Sequence, residues 1–522
     1  MSIQIIPMFK GCCRIFVLLP LFFLQSLQAK ADEDSEILWE VSSMANVGDG
    51  EFAPYYVSAL QHGKVFASKG FYLDAAVEKP IEFDKRFSWG AGVELHGGIS
   101  SKVSYLKWVE TGETTLNDMR AAPVNIQQLY GIIRYRSLYV MLGMKNHESV
   151  LLNNSLTTGD LVESGNAREI PQLRLGLVDF RNIPLTKGLL QVQGEIGIGK
   201  FTDNHWLEKF YSYGSNHINT DAWFTYRRLY FRTRPSERFS ATFGLQAAGE
   251  LGGTTRWFYQ GRETDRIHES LSFNKFLKWL FPIGAEKSGK GEYYDGNNLG
   301  SWDILLRYRL PWAQTVVKLY LEKPWEKGSS LGWGNAWDGL WGVEFDFGRI
   351  SRFFKGVLFE YLTTMNQSGA FHFSPDDYPG TTIPSDIHGG DEYYNNNEYN
   401  SYQNYGHGIG TPFLKSPIYN LDGFPQYVDN RLHGFQLSAN GQFNGISTWK
   451  IAISHRKAYG SGRQPRLHPV DDTSWMIEVG YRFRSVRGLS LNGKIAADHG
   501  DMLGNNFGIA LTAVYKGAFS LK

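Results

Sequence analysis

The stretch TSWMIEVGYRFRSVRGLSLNGKIAAD, residues 473–498, decides the fold class. Trp475, Ile477, Val479, Tyr481 and Phe483 stand on one side of a two-residue alternation, with Glu478, Arg482 and Arg484 on the other. After Val486-Arg487 the alternation resumes, Leu489, Leu491, Ile495 and Ala497 opposing Ser490, Asn492, Lys494 and Asp498. A period of two is the signature of a strand with one apolar and one polar face. Each arm is about ten residues long, against the roughly five or six of an ordinary soluble strand. A strand of that length crosses an apolar layer ~25 Å tall when tilted.

Outward from this hairpin the same pattern recurs. Trp89, Ala91, Val93, Leu95 and Ile99 alternate with Glu94 and His96; Phe239, Ala241, Phe243, Leu245 and Ala247 with Ser240, Thr242 and Gln246; Trp302, Ile304, Leu306, Tyr308 and Leu310 with Asp303, Arg307 and Arg309. About eighteen candidate strands result, the first at 71–80, the third at 102–110 and the last at 506–516. Connections after even-numbered candidates are mostly short, such as Pro235-Ser236-Glu237 and Pro311-Trp312. The long ones, 147–170, 201–221, 252–300, 323–338, 366–430 and 458–472, all follow odd-numbered candidates. Short turns at one rim, long loops at the other and an even count describe a transmembrane antiparallel β-barrel of the outer-membrane type, with extracellular long loops. Trp89, Trp302, Trp449, Trp475 and Tyr515 lie near strand ends, where an interfacial aromatic girdle is expected. Residues 35–66 lack clean alternation, and 268–281 carries apolar residues at helical spacing, predicting a short accessory helix.

The N-terminus adds a compartment. Lys10 and Arg14 precede or enter the apolar run 15–24, which ends in the small-residue pattern Ala29-Lys30-Ala31. This is the layout of a secretory signal peptide, too short for a spanning helix. We therefore expect a signal peptide at 1–31, an N-terminal segment at 32–70 packed at or in the barrel, and the barrel itself at 71–522. Cleavage after Ala31 would remove both cysteines, Cys12 and Cys13, and leave 50 basic against 52 acidic residues. No disulfide or thiolate chemistry is then expected, and no basic block suggests a nucleic-acid partner.

Three segments resemble the Wzi-type outer-membrane capsule-assembly family. Ser164-Gly165-Asn166-Ala167-Arg168-Glu169-Ile170-Pro171-Gln172-Leu173-Arg174-Leu175-Gly176 is similar to that family's Asn-Ala-Arg-Pro-x-Pro element leading into a strand. Glu360-Tyr361-Leu362 with Thr364, Gln367, Ser368 and Gly369 is a second match; His407-Gly408-Ile409-Gly410-Thr411-Pro412 resembles the family's Gly-x-x-Ile-Gly-Asn-Pro loop. Glu169 stands where the family usually has Pro, and Thr411 where it usually has Asn. The resemblance implies an eighteen-stranded barrel with accessory helices, a lectin that helps attach capsular polysaccharide at the cell surface. The expected partners are that polysaccharide, outer-membrane lipid and, during biogenesis, the barrel-assembly machinery. A diffusion porin is the alternative, because eighteen strands leave room for a channel unless something fills it.

Candidate polysaccharide contacts are Tyr393, Tyr394, Asn396, Tyr399 and Tyr402 in the longest loop, and Trp333 and Trp337 in loop 323–338. Aromatic faces cover sugar C–H surfaces, and amides match ring hydroxyls. The competing reading of the long loop is that its tyrosines fill space against the barrel. Asn166, Arg168, Pro171 and Arg174 are read as structural, fixing a turn or plugging the lumen through Arg-to-carboxylate bonds. Asp376, Asp377, Asp386 and Asp391 lack an ion-loop spacing, and the thirteen histidines show no ligand motif, so no metal or cofactor is expected. No catalytic residues are expected either. Ser454 and His455 are consecutive on a strand and so point to opposite faces.

Overall fold

The computed structural model describes residues 35–521 except 271–295, 313, 327–329, 349–352, 368–371, 374–386, 389–391 and 397. Its main sheet is a closed antiparallel barrel of eighteen strands. They are β1 Ser35–Gly48, β2 Gly70–Lys79, β3 Phe87–Ser100, β4 Asn125–Tyr135, β5 Leu138–Met144, β6 Gln172–Leu177, β7 Leu190–Lys200, β8 Trp223–Thr233 and β9 Phe239–Leu251. They continue as β10 Asn297–Arg309, β11 Val316–Glu326, β12 Gly339–Asp346, β13 Phe354–Thr363, β14 Leu432–Gln442, β15 Ser447–Gly460, β16 Pro465–Arg482, β17 Leu489–Gly500 and β18 Asn506–Leu521. Each pairs with its neighbours in the chain, and Arg181–Asn182 extends the β6 position against β7. Closure is complete: β1 pairs with β18 from Ser35↔Leu521 to Gly48↔Gly508, so no strand edge is left bare.

The expected count holds through two offsetting differences. The segment we expected to pack beneath the barrel contributes its first strand, so the barrel begins at Ser35 and not at 71. Its alternation was blurred by Ser43 and Ala45 among the outward positions and by Met44 facing inward. Conversely, the expected strand at 102–110 lies outside the barrel: Val103–Trp108 pairs with Thr114–Met119 in a separate hairpin. Val103 and Tyr105 are buried there against Phe210 and Ile218, so their alternation reflects a protein core and not lipid. The expected loop 458–472 is a tight connection instead, since β15 and β16 run on to pair Gly460 with Pro465. The expected helix at 268–281 falls largely outside the described residues, and Arg262–Glu269 is strand.

Side-chain direction follows the pleat. Outward positions such as Leu95, Ile133, Leu175, Phe231, Phe243, Leu319, Phe359, Leu437, Ile453, Ile477 and Leu511 leave large apolar surfaces exposed all round the wall. A continuous band of that kind is tolerable only in contact with lipid. The inward positions carry Glu94, Arg134, Arg174, Glu195, Asp303, Glu322, Glu360, Arg456 and Asp498, all buried. Charges can be buried here because the lumen is filled. Helix α1 (Tyr55–Ser58) and three loops, 49–69, 145–171 and 364–431, pack Tyr56, Val57, Leu156, Leu161, Val162, Tyr394, Tyr402 and Phe413 against Tyr72, Phe224, Tyr320, Leu358 and Met476 of the wall.

Candidate functional site

A loop without regular structure carries unpaired backbone donors and acceptors, which inside a barrel must find partners. The inward charges supply them. Glu360 of β13 accepts the Thr157 hydroxyl at 2.5 Å, the Thr158 amide at 2.6 Å and the Tyr320 hydroxyl. Glu322 accepts the Leu161 amide at 2.9 Å, and Gln436 and Ser438 both donate to the Leu156 carbonyl at 2.7 Å. Glu326 accepts the Tyr394 amide at 2.6 Å. The wall thus grips segment 156–163 by its backbone.

The motifs that carry the family resemblance converge on this plug. Ser164 donates its amide to the Ile409 carbonyl at 3.0 Å, and Asn166 donates through Nδ2 to the Gly408 carbonyl at 3.0 Å while its Oδ1 accepts the Leu60 amide. Thr411, the residue standing in the family's Asn position, donates to the Thr158 carbonyl at 2.9 Å. Arg168 stacks over the Tyr405 ring at 4.7 Å and donates to the Ile126 carbonyl. The half-buried Pro171 presents its carbonyl to the Lys200 amide at 3.2 Å. Arg174, fully buried, forms a fork to Glu163 and reaches Glu195 at 2.7 Å, with Tyr226 beneath it. A buried guanidinium survives because each side of its fork meets a carboxylate.

The sugar-contact expectation requires correction. Tyr393, Tyr394, Tyr399 and Tyr402 are all buried, and three hydroxyls are committed: Tyr393 to the Gln367 carbonyl, Tyr394 to the Leu161 carbonyl, and Tyr402 to the Val162 carbonyl at 2.8 Å. Burial pushes the Tyr393, Tyr394 and Tyr402 hydroxyls well above the ordinary tyrosine range. Asn396 is half-buried, its Oδ1 occupied by the amides of Glu398 and Tyr399. The tyrosines of this loop fill the lumen because it is the apolar space within reach of residues flanking β13 and β14.

Trp333 and Trp337 are 45% and 74% exposed, but on the outer wall. The loop bearing them is fixed by outward residues: the Trp302 indole donates to the Leu331 carbonyl at 3.1 Å, Lys323 to the Ala336 carbonyl, and the Trp341 indole to the Trp337 carbonyl at 3.2 Å. Their position at the long-loop end of the lipid face is that of interfacial belt residues. Asp376, Asp377, Asp386 and Asp391 lie outside the described residues. Ser454 is buried facing the lumen, whereas His455 faces outward toward Thr473 and Phe435, so the two share no site.

Above the rim sits a small cap that sequence reading missed. It comprises the 103–119 hairpin, helix α2 (Trp206–Phe210) and a three-stranded sheet of Ser215–Thr220, Gly253–Tyr259 and Arg262–Glu269. Phe258 and Ile218 point into its core with Tyr105, Phe210 and Tyr211. The opposite sheet face carries Trp257, half-buried and 5.6 Å from the His217 ring, and Tyr259, which is 57% exposed. Asn400 joins the edge strand of this sheet, donating to the His217 carbonyl at 2.7 Å and accepting the Asn219 amide. The only sequence signal was alternation in Thr255, Trp257 and Tyr259, which also suits a spanning strand.

Residues 157–413 match the family described as capsule assembly protein Wzi. No curated protein sequence matches the chain. Among solved structures, Wzi of Escherichia coli, described as an outer-membrane protein involved in group 1 capsule assembly and a carbohydrate-binding β-barrel, aligns with TM-score 0.53 at 11% identity. The alignment covers 97% of this chain and 88% of that one. OccAB2 of Acinetobacter baumannii aligns at TM-score 0.48 and 9% identity over 93% of this chain and 98% of its own. OprD of Pseudomonas aeruginosa aligns at 0.44 and 10% over 95% and 98%. At such identities the likeness is one of fold. The family is carried by the matched segment, which contains the plug loop from Thr157, the Glu360 strand and the 407–412 loop: through it, this outer-membrane β-barrel belongs to the Wzi family of capsule assembly proteins.

Proposed function

We propose that the protein binds capsular polysaccharide at the cell surface and assists its attachment without chemically altering it. The observation that carries this reading is the filled lumen. Three loops fixed to the wall by buried carboxylates occupy the space a diffusion channel would need, and the long-loop rim carries a folded cap. Family membership and the carbohydrate-binding description of the E. coli Wzi barrel point the same way.

The cap is the surface we assign to the sugar. Trp257 and Tyr259 stand on one sheet face and offer aromatic surface for sugar C–H groups, with the phenol hydroxyl of the exposed Tyr259 for ring hydroxyls. The test is calorimetric titration of the refolded, detergent-solubilised protein with purified capsular polysaccharide of its own host. Saturable binding weakened at least tenfold by Trp257→Ala with Tyr259→Ala, and unchanged by Trp337→Ala, is expected. Folded protein that does not bind, with steady conductance in a planar bilayer, would return the molecule to the porin class.

A further inference from the structure

We propose that His147, Glu163 and Glu169, with His62 as fourth ligand, form a binding site for a divalent transition-metal ion of the Zn²⁺ type. The site joins the N-terminal plug segment to the 145–171 loop just inside the long-loop rim. Three of the donors cluster as ligands do, and His62 adjoins them through Glu169. A nitrogen of His147 and one oxygen each of Glu163 and Glu169 lie within 4.8 Å of one another. His147 Nδ1 is 3.0 Å from Glu169 Oε2, and His62 Nδ1 is 3.8 Å from Glu169 Oε1. Four donors about 2.05 Å from a tetrahedral zinc stand roughly 3.3 Å apart, between these two values. Imidazole with carboxylate is a donor set suited to zinc and its neighbours, and it disfavours Mg²⁺ and Ca²⁺, which take all-oxygen shells.

An independent observation asks for a ligand. His62 Nδ1 is buried and has no hydrogen-bond partner, although 3.8 Å from a carboxylate. Buried nitrogens are rarely left so, and an ion placed between His62 and Glu169 would satisfy both. Burial pushes the His62 imidazole down, keeping it neutral as a ligand must be.

The charge pairing agrees. Among the described residues Glu163 and Glu195 pair with the guanidinium groups of Arg174 and Arg228, whereas Glu169 pairs with the imidazoles of His62 and His147. Outer contacts hold the ligands in place, as metal sites require: Arg174 orients Glu163, the His147 amide donates to Glu169 Oε1 at 3.0 Å, the His62 amide donates to the Gly165 carbonyl at 2.9 Å, and Gln127 donates to the His62 carbonyl. The His62 and His147 side chains are 22% and 20% exposed, so an ion has a way in. Glu169 is also the residue that departs from the Pro of the family element, which makes the central ligand a feature of this chain.

The experiment strips the refolded protein with chelator and titrates Zn²⁺ alone, reading stoichiometry by calorimetry and unfolding temperature in parallel. One ion per chain is expected, with a rise in unfolding temperature. His62→Asn, His147→Gln and Glu169→Gln should each weaken binding at least 100-fold, while His205→Asn, at an exposed histidine of the cap, leaves it unchanged. Should a variant fail to fold, the visible spectrum of wild-type protein loaded with Co²⁺ decides between a four-coordinate nitrogen–oxygen shell and the pale six-coordinate ion of adventitious binding. Absence of stoichiometric Zn²⁺, or equal binding by the His62 and His147 variants, overturns the site.

Discussion

Two aromatic regions of similar composition do opposite things. In the lumen, Tyr393, Tyr394 and Tyr402 turn both ring and hydroxyl inward, every face covered and each oxygen bonded to a plug carbonyl. On the cap, Trp257 and Tyr259 are anchored through the backbone of a sheet and leave ring faces to solvent. The difference lies in what holds the chain. Where the backbone is already paired in a sheet, aromatic side chains are free for a partner; where the backbone is irregular, they are spent on filling and satisfying it.

Breaking the luminal side should have the largest effect. Arg174→Ala leaves Glu163 and Glu195 facing each other without their shared cation, and a buried pair broken from one side costs about 3–5 kcal/mol. Denaturant unfolding in detergent should show that loss, and bilayer recording should show new conductance if the plug loosens. An intact plug in this variant would mean that the carboxylate grip on 156–163 suffices alone.

Acid should act next. Burial pushes His407, in the loop bonded to Asn166, down to about 4. Its folded value lies below the ordinary 6.5, so as pH falls the unfolded chain takes the proton first. Stability present above pH 6.5 is lost progressively toward pH 4 and changes no further below it, by about 3 kcal/mol in all. His407→Asn should flatten that part of the stability–pH curve relative to wild type.

The comparison itself is sharpened by a crossed pair. Trp257→Ala should cost about 1–2 kcal/mol of polysaccharide binding with little change in stability. Tyr402→Phe should do the reverse, losing about 1 kcal/mol of stability through the Val162 carbonyl bond and leaving sugar affinity alone. If Tyr402→Phe weakened binding more than Trp257→Ala, the assignment of the two regions would be exchanged.

The legible and illegible parts of this chain divide along one line. The hairpin at 473–498 was read correctly because lipid imposes one rule on a long run of residues. The hairpin at 103–119 obeyed the same rule for another reason, its Val103 and Tyr105 facing a cap core, and so was misplaced. Strand β1 was missed because Ser43, Met44 and Ala45 carry too little contrast, and its place was decided by pairing with β18, 460 or more residues away. The tyrosine-rich loop shows the same limit: composition marked Tyr393 to Tyr402 as rich in contacts but could not say with what.

Sequence by itself therefore determined the barrel, the parity of its loops and the family, since each is written locally, in alternation, loop length or contiguous motif. Tertiary structure alone decided which strand closes the barrel, that the lumen is filled, and that His62 stands beside His147 and Glu169. Those facts depend on segments far apart in the chain sharing one enclosed space, where buried charge and unpaired backbone must be matched by whatever the fold brings near.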